Sequence, residues 1–328
     1  MELLKPFIYS IFAVLFLGAC SQQYDFGIPA SSDVYPSSVQ YNNKVDMVFM
    51  VDDSLTMSYY HNRLAETIPA LVQSLSALKM NFHIVVVSTS MSPSKMRGGK
   101  FLGSPKVLTN DTPNLVAVLA QRLQLGSTGS DRQTGIESVM TALSDNYLST
   151  SEGQGFFRED ALLSVIALSK EDDHSNLGTV LDYTRFFDQR KKPFDNGQKS
   201  WVFNFIGTLD NSPRCPTNPD YNYTQRGDTF IGLVNASHGQ AESICSSDLT
   251  PAIKNIKARI IQVLTDFKLS RKPDVNSIRV FANGVAVPKS NLNGWDYLPV
   301  ENLIRFYGTW IPAADVAIKI NFNPAGAD

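Results

Sequence analysis

The chain has 328 residues, 43% of them hydrophobic and 18% charged, enough to bury a sizeable core in one large domain or in one domain with a smaller appendage. Lys and Arg number 29 against 31 Asp and Glu, a net charge of −2. No basic run is long enough to track phosphates, so nucleic acid is not the expected partner.

At the N-terminus, Lys5 precedes the 14 residues Pro6–Ala19, an apolar run too short for a membrane-crossing helix, which needs roughly 20, and suited to a signal-peptide core. The run closes on Leu17-Gly18-Ala19-Cys20, which resembles the lipobox of bacterial lipoproteins. The resemblance implies a signal peptide over 1–19 and a mature chain held to the membrane by lipid, palmitate included, on Cys20. Ser21 follows Cys20, and in lipoproteins of enteric bacteria a residue other than Asp there favours the outer membrane of the envelope. Lipidation of Cys20 leaves Cys215 and Cys245, and an even remainder in an exported protein reads as a disulfide. Neither has a second cysteine or a histidine at zinc-ligand spacing.

Residues 20–43, rich in Ser, Tyr, Gln and Pro, carry no helical or strand period and read as a flexible tether. Regular alternation follows. Val45–Val51 reads as a strand, and His61–Leu78, with Leu64, Ile68, Leu71, Val72 and Leu75 at spacings of three and four, as an amphipathic helix. Phe82–Val87 is a strand, Gly98–Thr109 a short excursion with turn residues, and Asn114–Leu123 and Arg132–Leu143 are helices. The strand Leu162–Leu168, the helix Val180–Arg190, the strand Trp201–Ile206, a helix containing Gly232–Ala236 and the helix Pro251–Leu264 complete the series. Strands alternating with helices predict an α/β fold: a mostly parallel, doubly wound sheet with helices on both faces. After Phe267 the pattern becomes all β. "SIRVFANGVAVP" is a hairpin around Asn283-Gly284, and "NLIRFYG" and "DVAIKINF" are further strands. The predicted units are therefore 44–267, the α/β domain, and 268–328, a small β domain.

In an open parallel sheet, ligands bind beyond the carboxyl ends of the strands. Asp52, Ser54 and Thr56 fall just past the end of the first strand. One carboxylate and two hydroxyls form an oxygen-only, weakly charged donor set of the kind that suits Mg²⁺ or Mn²⁺.

"VFMVDDSLTM" resembles the Asp-x-Ser-x-Ser signature of von Willebrand factor type A (VWA) domains, the metal-ion-dependent adhesion site (MIDAS), with Thr56 for the second Ser. The resemblance covers about Lys44 to Phe267 in the order and spacing of elements. It implies a further hydroxyl ligand on the loop "GSTGSDRQTGIESV", where counting back from Gly135-Ile136 selects Ser130, with Thr128 as the alternative. The terminal β piece and the paired cysteines also resemble those of exported bacterial members.

Family members carry an Asp just after the fourth core strand. Here the run is Ser169-Lys170-Glu171-Asp172-Asp173, with Lys170 in that place. An ammonium repels a divalent cation, so either Glu171 or Asp172 reaches in to compensate or Lys170 fills the metal's space.

Other readings stand beside this one. Asp52-Asp53-Ser54 alone is a capped turn. Glu171–His174 is a solvated loop or, in a hydrolase, an acid/base cluster. Arg226-Gly227-Asp228 spells an adhesion tripeptide that arises readily by chance. His83 reads as a satisfied core residue. No nucleophile elbow, zinc-protease helix, phosphate-cradling loop or dinucleotide fingerprint is present, so no catalytic residue is expected. The expectation is a lipid-anchored envelope or cell-surface protein whose domain binds a protein partner, through an acidic residue of that partner and a modified adhesion site. The alternative is a structural component of an envelope assembly with a vestigial, metal-free site.

Overall fold

The computed structural model describes residues 31–35, 43–91, 98–130, 132–194, 197–211, 215 and 225–326. The signal segment, the lipobox and Cys20 lie outside the described residues.

In chain order the strands are β1 (Ser31–Tyr35), β2 (Lys44–Val51), β3 (Asn81–Ser88), β4 (Leu108–Thr109), β5 (Leu162–Ser169), β6 (Trp201–Gly207), β7 (Ala241–Ser243), β8 (Phe267–Lys268), β9 (Arg279–Ala282), β10 (Val285–Ala286), β11 (Gly294–Leu298), β12 (Leu303–Tyr307) and β13 (Ile318–Phe322). The helices are α1 (Ser58–Ala77), α2 (Leu115–Arg122), α3 (Gly135–Ala142), α4 (Asp145–Leu148), α5 (Val180–Arg190), α6 (Asp228–Ser237) and α7 (Thr250–Thr265). Among the described residues, no helix is long and apolar enough to cross a membrane.

The main sheet runs β4-β3-β2-β5-β6-β7 and is parallel except for the short antiparallel edge β4. β2 is central, and its side chains serve both faces. Val45, Met47, Phe49 and Val51 pack into a core with α1, α2 and α7, while Val48 and Met50 pack into a second core with α3, α5 and α6. Burial on both faces is why β2 reads as a nearly continuous apolar run instead of an alternating one. The strand order steps outward from β2 in both directions, so the loops after β2 and β5 leave the sheet side by side. That is the geometry of a doubly wound α/β fold, and it creates the rim where a ligand site belongs.

The second unit contains two antiparallel sheets, β1-β13-β9-β10 and β11-β12-β8, around a core that includes Phe267, Val280, Trp295, Ile304, Phe306 and Ile320. The Asn283-Gly284 turn has both residues at positive φ, 48° and 81°, as a tight right-twisted hairpin requires.

Two boundaries differ from the sequence reading. Ser31–Tyr35, inside the segment read as tether, is a strand that pairs antiparallel with β13, Ser31 opposite Phe322 and Tyr35 opposite Ile318. An edge strand of five residues leaves almost no periodic signature, and its partner lies at the other end of the chain. The β unit therefore draws on the chain before the α/β body as well as after it. At the other boundary, Phe267 already belongs to β8 and pairs with Ile304 of β12. Cys215 and Cys245 form a disulfide with their Cα atoms 5.0 Å apart.

Candidate functional site

The strand β2 delivers Asp52 to the rim fully buried. Its amide continues the ladder by donating to Leu168 O at 2.9 Å, and the chain then turns away from the sheet. Asp52 Oδ1 accepts the Ser54 amide at 2.8 Å, an Asx-type turn that a carboxylate favours at a strand end. Asp52 Oδ2 accepts the Ser169 hydroxyl at 3.1 Å and the Lys170 amide at 3.4 Å. The Asp52 carbonyl accepts from His61 Nε2 at 2.7 Å, which tethers the loop to α1. Burial lowers the His61 imidazole below its ordinary value, against a smaller upward pull from its bond to the Asp52 carbonyl and from the Asp52 charge.

The two hydroxyls of the signature behave differently. Ser54 Oγ is buried and has no hydrogen-bond partner among the described residues. Thr56 sits at φ 72°, the left-handed region, which is uncommon for a β-branched residue. The Lys170 ammonium closes over this turn. Its Nζ donates to Leu55 O at 2.8 Å and lies 3.5 Å from Thr56 Oγ1.

Ser130 reaches the site at one remove. Its amide donates to Ser90 Oγ at 2.7 Å, and that hydroxyl donates to Asp53 Oδ1 at 2.6 Å. Ser130 Oγ accepts the Arg132 amide at 3.1 Å. The same loop touches the rim twice more, through Gly129 N to Asp53 O at 2.7 Å and through the Ser58–Ser127 hydroxyl pair at 2.7 Å. Thr128, the alternative ligand, is exposed.

The acidic run after β5 is largely occupied. Asp172 takes the amide and hydroxyl of Thr229 at 2.9 and 3.0 Å, capping the first turn of α6. Asp173 takes Ile136 N at 3.0 Å, at the start of α3, and Ser175 N at 3.1 Å. Burial raises the Asp173 carboxyl despite these bonds. Glu171 is buried, and its carbonyl accepts from Ser169 Oγ at 2.9 Å. The reading in which Asp172 swings in to balance a metal therefore gives way to one in which it caps a helix. His174 donates its amide to Gln133 O at 2.7 Å, so the Glu171–His174 stretch binds the α3 and α6 ends to the sheet. In the Arg226-Gly227-Asp228 tripeptide, Arg226 pairs with Asp228 itself at 3.0 Å. His83 is satisfied, as expected, by Phe156 O at 2.9 Å.

A divalent ion on this loop would draw on Asp52, Ser54 Oγ, Thr56 Oγ1 and Ser130 Oγ. The unpartnered Ser54 hydroxyl suits such a role. The Lys170 ammonium beside Thr56 Oγ1 does not, because it places a fixed positive charge on one of the donors. As it stands, the set does not fit a divalent cation. Among the described residues, no three or more His, Cys, Asp or Glu side chains are grouped to hold a metal, although a site built from hydroxyls would not be of that kind.

Sequence reasoning found Asp52, Ser54, Thr56, Ser130 and Lys170 and missed the residues that fasten them. Asp53, Ser90 and Ser169 are buried polar groups at strand ends and His61 is a buried residue in the first turn of α1, and only Ser169 and Asp53 lie within the two acidic runs.

No protein-family model matches the sequence, and no curated protein matches it. Among solved structures, the chain is similar to proximal thread matrix protein 1 from the mussel byssus, with 12% identity, a TM-score of 0.38, and 74% of this chain and 51% of that chain covered. It thus spans about half the length of the mussel protein. It is also similar to the ArnB paralog VWA2 from Sulfolobus acidocaldarius, with 12% identity, a TM-score of 0.32, and 90% and 59% covered. An adhesive tip pilin from Group B Streptococcus agalactiae matches with 10% identity, a TM-score of 0.37, and 90% and 81% covered. These are partial likenesses of fold. The α/β assignment rests on the strand order of the chain itself.

Proposed function

We propose that the chain is a lipid-anchored, VWA-like protein-binding domain of the bacterial envelope and that its partner docks on the rim formed by the ends of β2 and β5. The observation that carries this reading is the fastening of four separate loops, after β2, after β3, before α3 and after β5, into one polar rim through Asp53, Ser90, Ser130 and Lys170. On the same end of the sheet, Leu55, Tyr59, Leu177 and Leu181 expose their apolar side chains. A hydrogen-bonded polar centre with exposed apolar groups at the same end of the sheet is a surface that gains from being covered. The reading assigns no catalytic residue.

The test is capture from an envelope extract by the mature chain, compared with Leu55→Asp and Leu181→Asp variants. Loss of one captured protein in both variants supports rim docking, and unchanged capture refutes it. Anchoring is tested separately. Cys20→Ser is expected to move the protein out of the membrane fraction, and its retention there would remove lipidation from the proposal.

A second reading, a structural assembly component with a vestigial site, is favoured by the Lys170 ammonium lying against Thr56. Capture that survives both Leu→Asp changes would point to it.

A further inference from the structure

We infer that the Lys170 ammonium is the resident cation of the rim loop: it takes the place of a divalent ion and holds residues 52–57 in shape without one. The inference rests on the rim being the adhesion-type site proposed above.

Lys170 is fixed at its root before its side chain begins. Its amide points to Asp52 Oδ2 at 3.4 Å, and its carbonyl accepts the Thr208 hydroxyl at 2.5 Å, so β2, β5 and β6 all position it. The side chain then crosses the turn after β2 to reach Leu55 O at 2.8 Å and Thr56 Oγ1 at 3.5 Å. The first acceptor is the carbonyl just before Thr56, the residue at φ 72°, and the second is the hydroxyl of Thr56 itself. A β-branched residue stays in that region only where its surroundings hold it, and the ammonium is a cationic donor bridging its hydroxyl and the preceding carbonyl.

A bound ion does the same work in a metal-held loop, drawing carbonyl and hydroxyl oxygens towards one positive centre. Two cations cannot share it. An ion on the Thr56 hydroxyl would lie within a few ångströms of the ammonium, and the carboxylates that follow Lys170 in the chain, Asp172 and Asp173, are engaged at Thr229 and Ile136. The loop is thus preorganised for a partner independently of Mg²⁺, Ca²⁺ or chelator, and the site carries one tethered charge instead of an exchangeable double one.

The test needs no partner, so its failure is separable from failure of rim docking. Mg²⁺ and Mn²⁺ titrations by calorimetry would be run on the mature wild-type chain, on Lys170→Asp and on Lys170→Met. Hydrogen exchange of amides 52–57 would be measured with each ion and with chelator. Wild type is expected to give no 1:1 isotherm and the same exchange in all conditions. Lys170→Met should exchange at least about tenfold faster in this loop, with no rescue by metal. Lys170→Asp should exchange fast with chelator, slow down with Mg²⁺, and bind the ion at least about a hundredfold more tightly than wild type. A wild-type isotherm that Asp52→Asn abolishes, or wild-type exchange that slows with Mg²⁺, overturns the inference. So does Lys170→Met exchange equal to wild type. Should Lys170→Asp not fold, the wild-type and Lys170→Met measurements decide.

Discussion

Ser90 Oγ donates to Asp53 Oδ1 at 2.6 Å and accepts the Ser130 amide at 2.7 Å, so a single buried hydroxyl couples the loop after β2 to the loop before α3. The coupling is tight enough to exclude a methyl group beside it. A Cβ on Gly129 would fall 2.0 Å from Asp53 Oδ1 and 2.7 Å from Asp53 O, which fixes glycine there for space and not for backbone angle.

Ser90→Ala removes both bonds and leaves a buried carboxylate oxygen and a half-buried amide without that partner. It should cost about 2–3 kcal/mol in urea unfolding, above the range for an exposed hydroxyl. Gly129→Ala should cost at least about 1 kcal/mol by forcing the two loops apart. Both variants should also weaken rim capture, because the loops would no longer be held in register. A Ser90→Ala protein as stable as wild type would show that the relay contributes nothing to the fold.

The α/β body was legible because its signals are repeated and local. The apolar run of β2, the three-and-four spacing of α1 and the pairing of a strand with each following helix all lie within short windows, and the observed spans agree to within a few residues for β2, β3, β5, α5 and β6. β1 was hidden for the opposite reason: five residues with no repeated pattern, paired to a strand near the other end of the chain. At the site, the family-like spacing picked out Asp52, Ser54, Thr56 and Lys170, since charge and hydroxyl content can be read along one loop. Ser90 could not be read that way. Its role depends on where β3 ends relative to β2 across the sheet, a register that Val51 opposite Ser88 sets and no local pattern announces. The roles of Asp172 and Asp173 depend likewise on which helix ends arrive beside β5.

At the opposite end of the sheet, Arg158 Nε donates to the fully buried Asp46 Oδ1 at 2.8 Å, and the Arg158 amide reaches Oδ2 at 2.7 Å. Burial raises the Asp46 carboxyl above its ordinary value even though Arg158 pulls it down, so desolvation is the larger effect. Breaking such a pair from one side leaves an uncompensated buried charge. Arg158→Ala should therefore destabilise by about 3–5 kcal/mol, while Asp46→Asn, which keeps the shape and the hydrogen-bonding oxygen, should cost less. Chemical unfolding of the two variants checks the order, and equal losses would mean that shape, not charge, governs this corner.

The Cys215–Cys245 bridge closes a loop of sequence separation 30 between the end region of β6 and the start of the segment leading to α7. In the chain-entropy model a loop of this length is worth about 3–4 kcal/mol. Reduction, or the double change Cys215→Ser with Cys245→Ser, should lower the unfolding midpoint accordingly and leave the β unit intact, because none of its described strands lies inside the closed loop. A free-thiol titration of the denatured, unreduced protein should find neither cysteine reactive.

His61 gives the rim a pH dependence with a definite sign. Its Nε2 donates to the Asp52 carbonyl at 2.7 Å, its Nδ1 is buried with no partner among the described residues, and burial lowers its folded-state value below the ordinary 6.5. The unfolded chain therefore binds the proton more readily than the folded one. The stability this group provides is present in full above about pH 6.5 and is lost as the pH falls towards the lowered folded value. Within that window stability should fall with pH, with a slope of at most about 1.4 kcal/mol per pH unit for this one proton. The buried carboxyls of Asp46 and Asp173, raised above 3.8, act in the opposite sense, since the stability they provide is lost as the pH rises through their folded values. His61→Gln keeps an N–H able to reach the Asp52 carbonyl and removes the titration, so its urea midpoint should be flatter than wild type over the interval just below pH 6.5. Because the Asp52 carbonyl opens the loop that Lys170 closes, acidification should also speed amide exchange over residues 52–57 in wild type before global unfolding begins. A wild-type loop whose exchange, corrected for intrinsic rates, does not change across that interval would separate His61 from the rim and leave it a plain packing residue of α1.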